Sequence, residues 1–218
     1  MARGRAATYD DQRGLILRRA AELFAQRGYA ATSMNAVAEA CGCSKPTLYH
    51  YFRDKDALLV SICDEHVLRL HALTSEVLAL PLAPQDQLRE LILRILDEYA
   101  DAQHAHRVLT EDVRFLGAAD QARILGRERE VVAGFARVVG AIRPDLQAAA
   151  LAKPLTMLLF GMINWMFTWL KPKRPDAPQG PGGDLDHAAM APIVADLFLG
   201  GLAAVQPTKA ARSPALTS

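Results

Sequence analysis

Apolar residues recur at helical spacing along most of the chain. Ile16, Ala20, Leu23 and Phe24 form one stripe between Asp10 and Arg27. Met34, Val37, Ala38 and Cys41 form a shorter one, Leu48 and Phe52 a third, and Leu58, Leu59, Ile62 and Leu68 the inner face of a fourth that runs to about Leu78. The same spacing returns at Gln85–Gln103, with Leu88, Leu91, Ile92 and Ile95 on one side, and again at His106–Leu116 and Gln121–Ile142. Asp145–Leu170 is the most apolar stretch, and Met190–Val205 is the last. No segment alternates with the two-residue period of a strand. The pattern predicts an all-α fold of about nine helices.

Polar punctuation places the boundaries. Gly28 ends the first helix, Thr32 and Ser33 offer hydroxyls to the start of the next, and Asp54 opens the fourth. Between two short helices lie Gly42 and Cys43, followed by Ser44 as a cap and Pro46 in the first turn, where its missing N–H is harmless. Two short helices joined in this way are a helix-turn-helix, a unit whose second helix can enter the DNA major groove. Residues 1–9, with Arg3 and Arg5, are expected to be a flexible arm, 10–55 a three-helix DNA-binding domain, 56–205 a helical ligand-binding and dimerisation domain, and 206–218 a flexible tail. Pro81 and Pro84 break the body after its first helix, and the Pro- and Gly-dense stretch from Lys171 to Asp184 reads as a loop.

Composition narrows the reading. In 218 residues, 51% of them hydrophobic, there is material for a real core. Three cysteines, Cys41, Cys43 and Cys63, do not suit a disulfide framework, and no export signal is recognisable at the start, so a reducing cytoplasm is expected. Pro154–Leu170 is short for a membrane span and contains Asn164, so it is read as a buried or dimer-interface helix. The net charge is +1, but residues 1–55 hold nine Lys/Arg against five Asp/Glu, and the rest sixteen against nineteen. A basic surplus at the helix-turn-helix suits a phosphate backbone. The Cys41-x-Cys43 spacing is not that of a zinc site, so the cysteines are expected as small buried hydrophobes, with oxidation sensing the minor alternative. No cofactor or metal is expected. With no nucleophile-base spacing and no phosphate-cradling glycine loop, neither is an enzyme.

Ser44 can satisfy amides at the start of the recognition helix or bind a phosphate there. Lys45, Pro46, Thr47 and Tyr49 fall on its exposed early turns, where side chains meet base edges, while His50 and Tyr51 point sideways. Phe24, Gly28-Tyr29, Thr32-Ser33, Val37-Ala38, Cys41-Gly42-Cys43-Ser44, Thr47-Leu48-Tyr49, Phe52, Lys55 and Leu58-Leu59 together resemble the N-terminal domain of TetR (tetracycline-repressor-like) family transcriptional regulators. The resemblance covers about the first 60 residues. It implies base contacts from Lys45, Pro46 and Tyr49, and phosphate contacts from Thr32, Ser33, Thr47, His50, Tyr51 and Lys55. Lys55 and the helix it opens are expected to grip one phosphate together. Pro46 and Cys43 depart from the family pattern, which leaves the operator sequence open.

The resemblance also implies a homodimer on a palindromic operator, paired through the late apolar helices, and a repressor released by a hydrophobic small molecule. Candidate ligand contacts are Met157, Phe160, Asn164, Trp165, Phe167 and Trp169, large or polar side chains within the apolar run. The stretch Phe160–Pro172 looks like segments of family members that answer to acyl-CoA thioesters. Arg107, Arg114, Lys171, Lys173 and Arg174 are the cations that could face such a phosphate-bearing ligand. A multidrug or aromatic-cation sensor is the alternative, which needs a carboxylate that Pro154–Leu170 lacks; an enzyme built on the C-terminal bundle is the third reading.

Overall fold

The computed structural model describes residues 2–170 and 186–207, and the side chains of these except 2–8 and 167. The helices are α1 (Ala2–Arg27), α2 (Met34–Ala40), α3 (Lys45–Tyr51), α4 (Lys55–Leu78), α5 (Pro84–Asp101), α6 (Gln103–Asp112), α7 (Ala118–Ile142), α8 (Pro144–Ala148), α9 (Ala152–Asn164) and α10 (His187–Ala204). Single 3₁₀ turns follow α6 at Val113–Phe115 and α9 at Met166–Thr168. The side chain of Phe167, the whole of the expected loop with Lys171, Lys173 and Arg174, and all but the first two residues of the expected tail lie outside what is described.

Residues 1–73 and 97–130 make one compact unit, and 74–96 with 131–218 another. The first is larger than the domain expected at 10–55, because the core of the helix-turn-helix does not close on α4. Ile16, Phe24, Leu48, Phe52, Leu58 and Leu59 pack into one cluster with Val108, Leu109, Leu116 and Ile124 from α6, the turn after it and α7. The arm expected at 1–9 is instead the first turns of α1, which is consistent with the strong helix formers Ala2, Arg3, Arg5, Ala6 and Ala7. In α4 the buried positions after Ile62 are Cys63, His66, Val67, Leu70, Thr74 and Val77, while Leu68, expected inside, is 41% exposed.

The second unit is centred on Leu88, Leu91, Ile92 and Ile95 of α5, Phe135, Val138 and Val139 of α7, and Leu159, Phe160 and Ile163 of α9. Phe135 and Phe160 meet edge to face at 5.0 Å. The single helix expected over Asp145–Leu170 is broken after α8 by Ala150, whose φ is 58°. Leu151 N–H donates to Leu146 O at 2.8 Å and Ala150 N–H to Gln147 O at 3.0 Å, the bond pair of a Schellman stop with alanine in the left-handed place where glycine is usual.

Candidate nucleic-acid interface

Local chemistry builds the recognition helix. Gly28 and Gly42, at φ of 83° and 61°, take the left-handed conformations that end α1 and turn the chain between α2 and α3. Ser33 Oγ accepts from Ala36 N–H at 3.2 Å and Ser44 Oγ from Thr47 N–H at 3.2 Å, so each short helix starts on a hydroxyl cap. Leu48 is fully buried and Phe52 nearly so, which seats α3 against α1 and α4. Arg13 clamps this seat, pairing with Glu65 of α4 and lying 5.4 Å over the Phe52 ring.

One face of this unit stays open. Ser33, Ser44, Lys45, Pro46, Thr47, Tyr49 and His50 are all exposed. Tyr49 is 43% exposed, and the Lys45 ammonium lies 5.9 Å over its ring, so the two present one cationic-aromatic surface. Ser44 and Thr47 hydroxyls are 2.7 Å apart, which aligns both beside the helix start. Tyr51 is half-buried, its ring 4.6 Å from that of Tyr9 in α1, a contact that no local pattern announces.

Two expected phosphate ligands are otherwise engaged. Thr32 is 3% exposed, and its hydroxyl donates to Gly28 O at 2.9 Å, closing the end of α1. Lys55 donates to Tyr29 O at 2.9 Å and to Ala30 O at 3.3 Å, with its ammonium 4.3 Å over the Tyr29 ring. At the start of α4 the acceptor is Asp54, which takes the Ala57 N–H at 2.7 Å. A carboxylate thus stands where the shared phosphate grip was expected.

Tyr29, which the sequence marks only as part of the family-like pattern, is a junction. Its ring meets Phe24 and Phe115, each at 5.3 Å, its hydroxyl donates to Asp56, and its backbone N–H donates to Asp112. Burial, and then Asp56, push its phenol above the usual tyrosine value, so it stays a neutral donor. Apart from Phe24, these partners lie 27 to 86 positions away, beyond the reach of any motif.

Two of the three thiols, Cys41 before α3 and Cys63 in α4, are quiet. Burial pushes Cys41 up to about 11, with Cys43 adding to the effect, and Cys63 is pushed up to about 12 by burial. At neutral pH both are protonated and weak nucleophiles, which disfavours the oxidation-sensing alternative at Cys41.

The expected ligand contacts are divided between the two units, and most of them are exposed. Arg107 is exposed and pairs with Glu111 at 3.1 Å, and Arg114 is exposed over Phe115, so neither faces an interior. Phe160 is core, Asn164 half-buried, and Met157, Trp165 and Trp169 are 52%, 67% and 50% exposed. Met157 is on the open side of α9, which buries the side that carries Thr156, Leu159, Phe160 and Ile163, and Trp165 and Trp169 are exposed beyond the end of that helix.

Residues 16–62 match the family model of bacterial regulatory proteins, tetR family, and residues 81–202 that of the tetracyclin repressor-like C-terminal domain. The HTH-type transcriptional activator FasR of Mycolicibacterium smegmatis is 30% identical over 110 residues, half of each chain. The chain spans half or less of the length of curated relatives such as this one. A TetR-family transcriptional regulator from Bordetella parapertussis superimposes with a TM-score of 0.78 at 33% identity, covering 89% of this chain and 97% of that one. AibR, in a structure described as a complex with isovaleryl coenzyme A and operator DNA, superimposes at 0.70 with 21% identity over 85% of this chain and 97% of its own. Two family models, the second covering more than half of the sequence, and a helix-turn-helix with capped helices and an exposed face lead to one assignment: this chain belongs to the tetR family of bacterial regulatory proteins.

Proposed function

We propose that the protein is a cytoplasmic, homodimeric DNA-binding transcriptional repressor, released from a palindromic operator by a hydrophobic small molecule. The observation that carries the reading is the exposed strip Lys45, Pro46, Thr47 and Tyr49 on a helix whose opposite side is sealed by Leu48. A lysine reads guanine acceptors, and a tyrosine and a proline add apolar contact to a groove floor. Ser33, Ser44, Thr47 and His50 stand at the rim for phosphates.

One recognition helix reads only a few base pairs, so two copies are needed, and the second unit offers a surface to pair them. Among the described residues α10 is the one helix long and apolar enough to cross a membrane, and 33% of it is buried within the chain. Its exposed Ile193 and Leu197, with Met157 and Leu158 of α9, form apolar faces suited to a partner subunit. A methyl added at Gly161, Gly200 or Gly201 meets no atom of the chain within 4 Å, so a neighbouring helix could approach closely there. The body acts by allostery and not by catalysis, with the effector shifting the distance between the two recognition helices.

For the effector, AibR's bound isovaleryl coenzyme A supports an acyl-CoA thioester on fold likeness alone. Thermal-shift screening tests this: a thioester that raises the melting temperature and releases DNA supports it, and stabilisation by cationic drugs but by no thioester overturns it.

A further inference from the structure

Within the first unit, α4 and α6 meet on two buried histidines. His66 of α4 is fully buried, and His106 of α6 is 4% exposed. Nε2 of His66 lies 3.3 Å from Nδ1 of His106, so one proton is shared between ring nitrogens that can each donate or accept. On its other side, Nδ1 of His66 is 3.4 Å from Oε1 of Glu98, and that oxygen also accepts from Arg69 Nε at 2.7 Å. His106 stacks on Tyr99 with ring centroids 3.6 Å apart.

The tautomers follow from these neighbours. Beside the Glu98 carboxylate, His66 carries its proton on Nδ1, which leaves Nε2 as a lone pair and makes His106 Nδ1–H the donor across the gap. A second proton in that gap sets two N–H groups against each other across a buried contact. Burial favours the neutral ring and holds His66 below the usual histidine value, against the opposing pull of Glu98. For Glu98, burial acts upwards but is outweighed by the nearby His66 ring and the bond from Arg69, which hold the carboxyl below its usual range.

Among the described residues, the titratable groups around the contact besides Glu98 lie on four helices. Cys63 and Arg69 are on α4, the neutral Tyr99 on α5, Asp112 on α6 and Glu128 on α7. Burial raises both Asp112 and Glu128 above ordinary carboxylates, so on acidification they surrender negative charge early.

We propose that the His66–His106 pair is a proton-operated latch, in which acidification separates α6 from α4 and loosens the helix-turn-helix at Tyr29. The route is short. Asp112 ends α6 and accepts the Tyr29 N–H, Phe115 follows it and packs on the Tyr29 ring, and Tyr29 in turn holds Lys55 and Asp56 at the start of α4. The latch makes the proton a second input to the regulator, and its effect on DNA rests on the function proposed above. Because His66 titrates lower in the closed form than its unfolded value of about 6.5, its stabilisation is complete above that pH and lost as the pH falls.

Hydrogen exchange of the α6 amides, expressed as protection factors from about pH 7.5 to about 5.5, tests the latch in the full chain. The comparison is with His66→Phe, which leaves His106 on Tyr99 and removes both the titrating ring and the shared proton. Expected for the wild type is a loss of α6 protection of about tenfold per pH unit below about 6.5, with α10 unaffected, and a level profile in the variant. Equal profiles in both, or no pH dependence in the wild type, overturn it. If the variant does not fold, imidazole NMR of the wild type decides: two separated titration steps support the shared proton, and two rings titrating together at the ordinary value overturn it. Acid-dependent exchange in a chain without DNA affinity supports the latch and overturns the proposed function; DNA affinity without such exchange does the reverse.

Discussion

Replacing Lys55 by Met separates two roles that one ammonium could have. As a phosphate ligand, Lys55 would contribute to DNA affinity and its salt dependence while leaving the free protein unchanged. In the structure it ties the end of α1 to the start of α4 through the carbonyls of Tyr29 and Ala30 and the Tyr29 ring. The nearer bond, at 2.9 Å, is part-buried and the farther, at 3.3 Å, exposed, so only the first keeps a full charge-assisted contribution. About 1.5 kcal/mol for that bond, and about 0.5 for the ring, give a loss of about 2 kcal/mol, since Met retains most of the stem packing. In a chain of this size that corresponds to a melting temperature lower by about 4 to 8 °C. Differential scanning calorimetry reads the stability, and fluorescence anisotropy at graded salt reads the slope of log affinity against log salt. The slope should match that of the wild type. A melting temperature unchanged to within about 1 °C, together with a slope smaller by about 2 for the two subunits, would refute this placement of Lys55.

Ser44→Ala removes the α3 cap at Thr47 N–H and the hydroxyl partner of Thr47; urea denaturation should show a loss of about 1 kcal/mol. Ala150→Gly relieves the left-handed alanine after α8 and should raise stability by several tenths to about 1 kcal/mol in the same measurement. Leu197→Glu, on an α10 position 65% exposed, should leave the melting of the single chain nearly unchanged but convert the proposed dimer to a 23.7 kDa monomer in sedimentation velocity.

The helix-turn-helix was legible because its determinants are local. Gly28, Gly42, Ser33, Ser44 and Pro46 each act on backbone within a few positions, and Leu48 and Phe52 show their side by spacing alone. What escaped depends on partners far along the chain. Nothing near Thr32 or Lys55 says that a hydroxyl or an ammonium will turn to the carbonyls between Gly28 and Ala30 instead of outward. The break at Ala150 was invisible because alanine is the best helix former, and only the assembled turn imposes its φ. Trp165 and Trp169 misled for another reason: apolar character marks burial without saying whether the chain itself or a partner supplies the cover. His66 and His106, forty positions apart, belong to the same class of long-range contact.

The central claim, that Lys45 and Tyr49 read DNA bases as a symmetric pair, is tested most directly by selecting binding sites from a random duplex library at fixed salt. Wild-type protein should enrich a palindrome with half-sites about one helical turn apart, or a multiple of that. Lys45→Ala and Tyr49→Ala, each still a folded dimer, should lose that preference while keeping weak, salt-sensitive affinity. Enrichment of the same palindrome by either variant, or of no sequence by the wild type, would contradict the account.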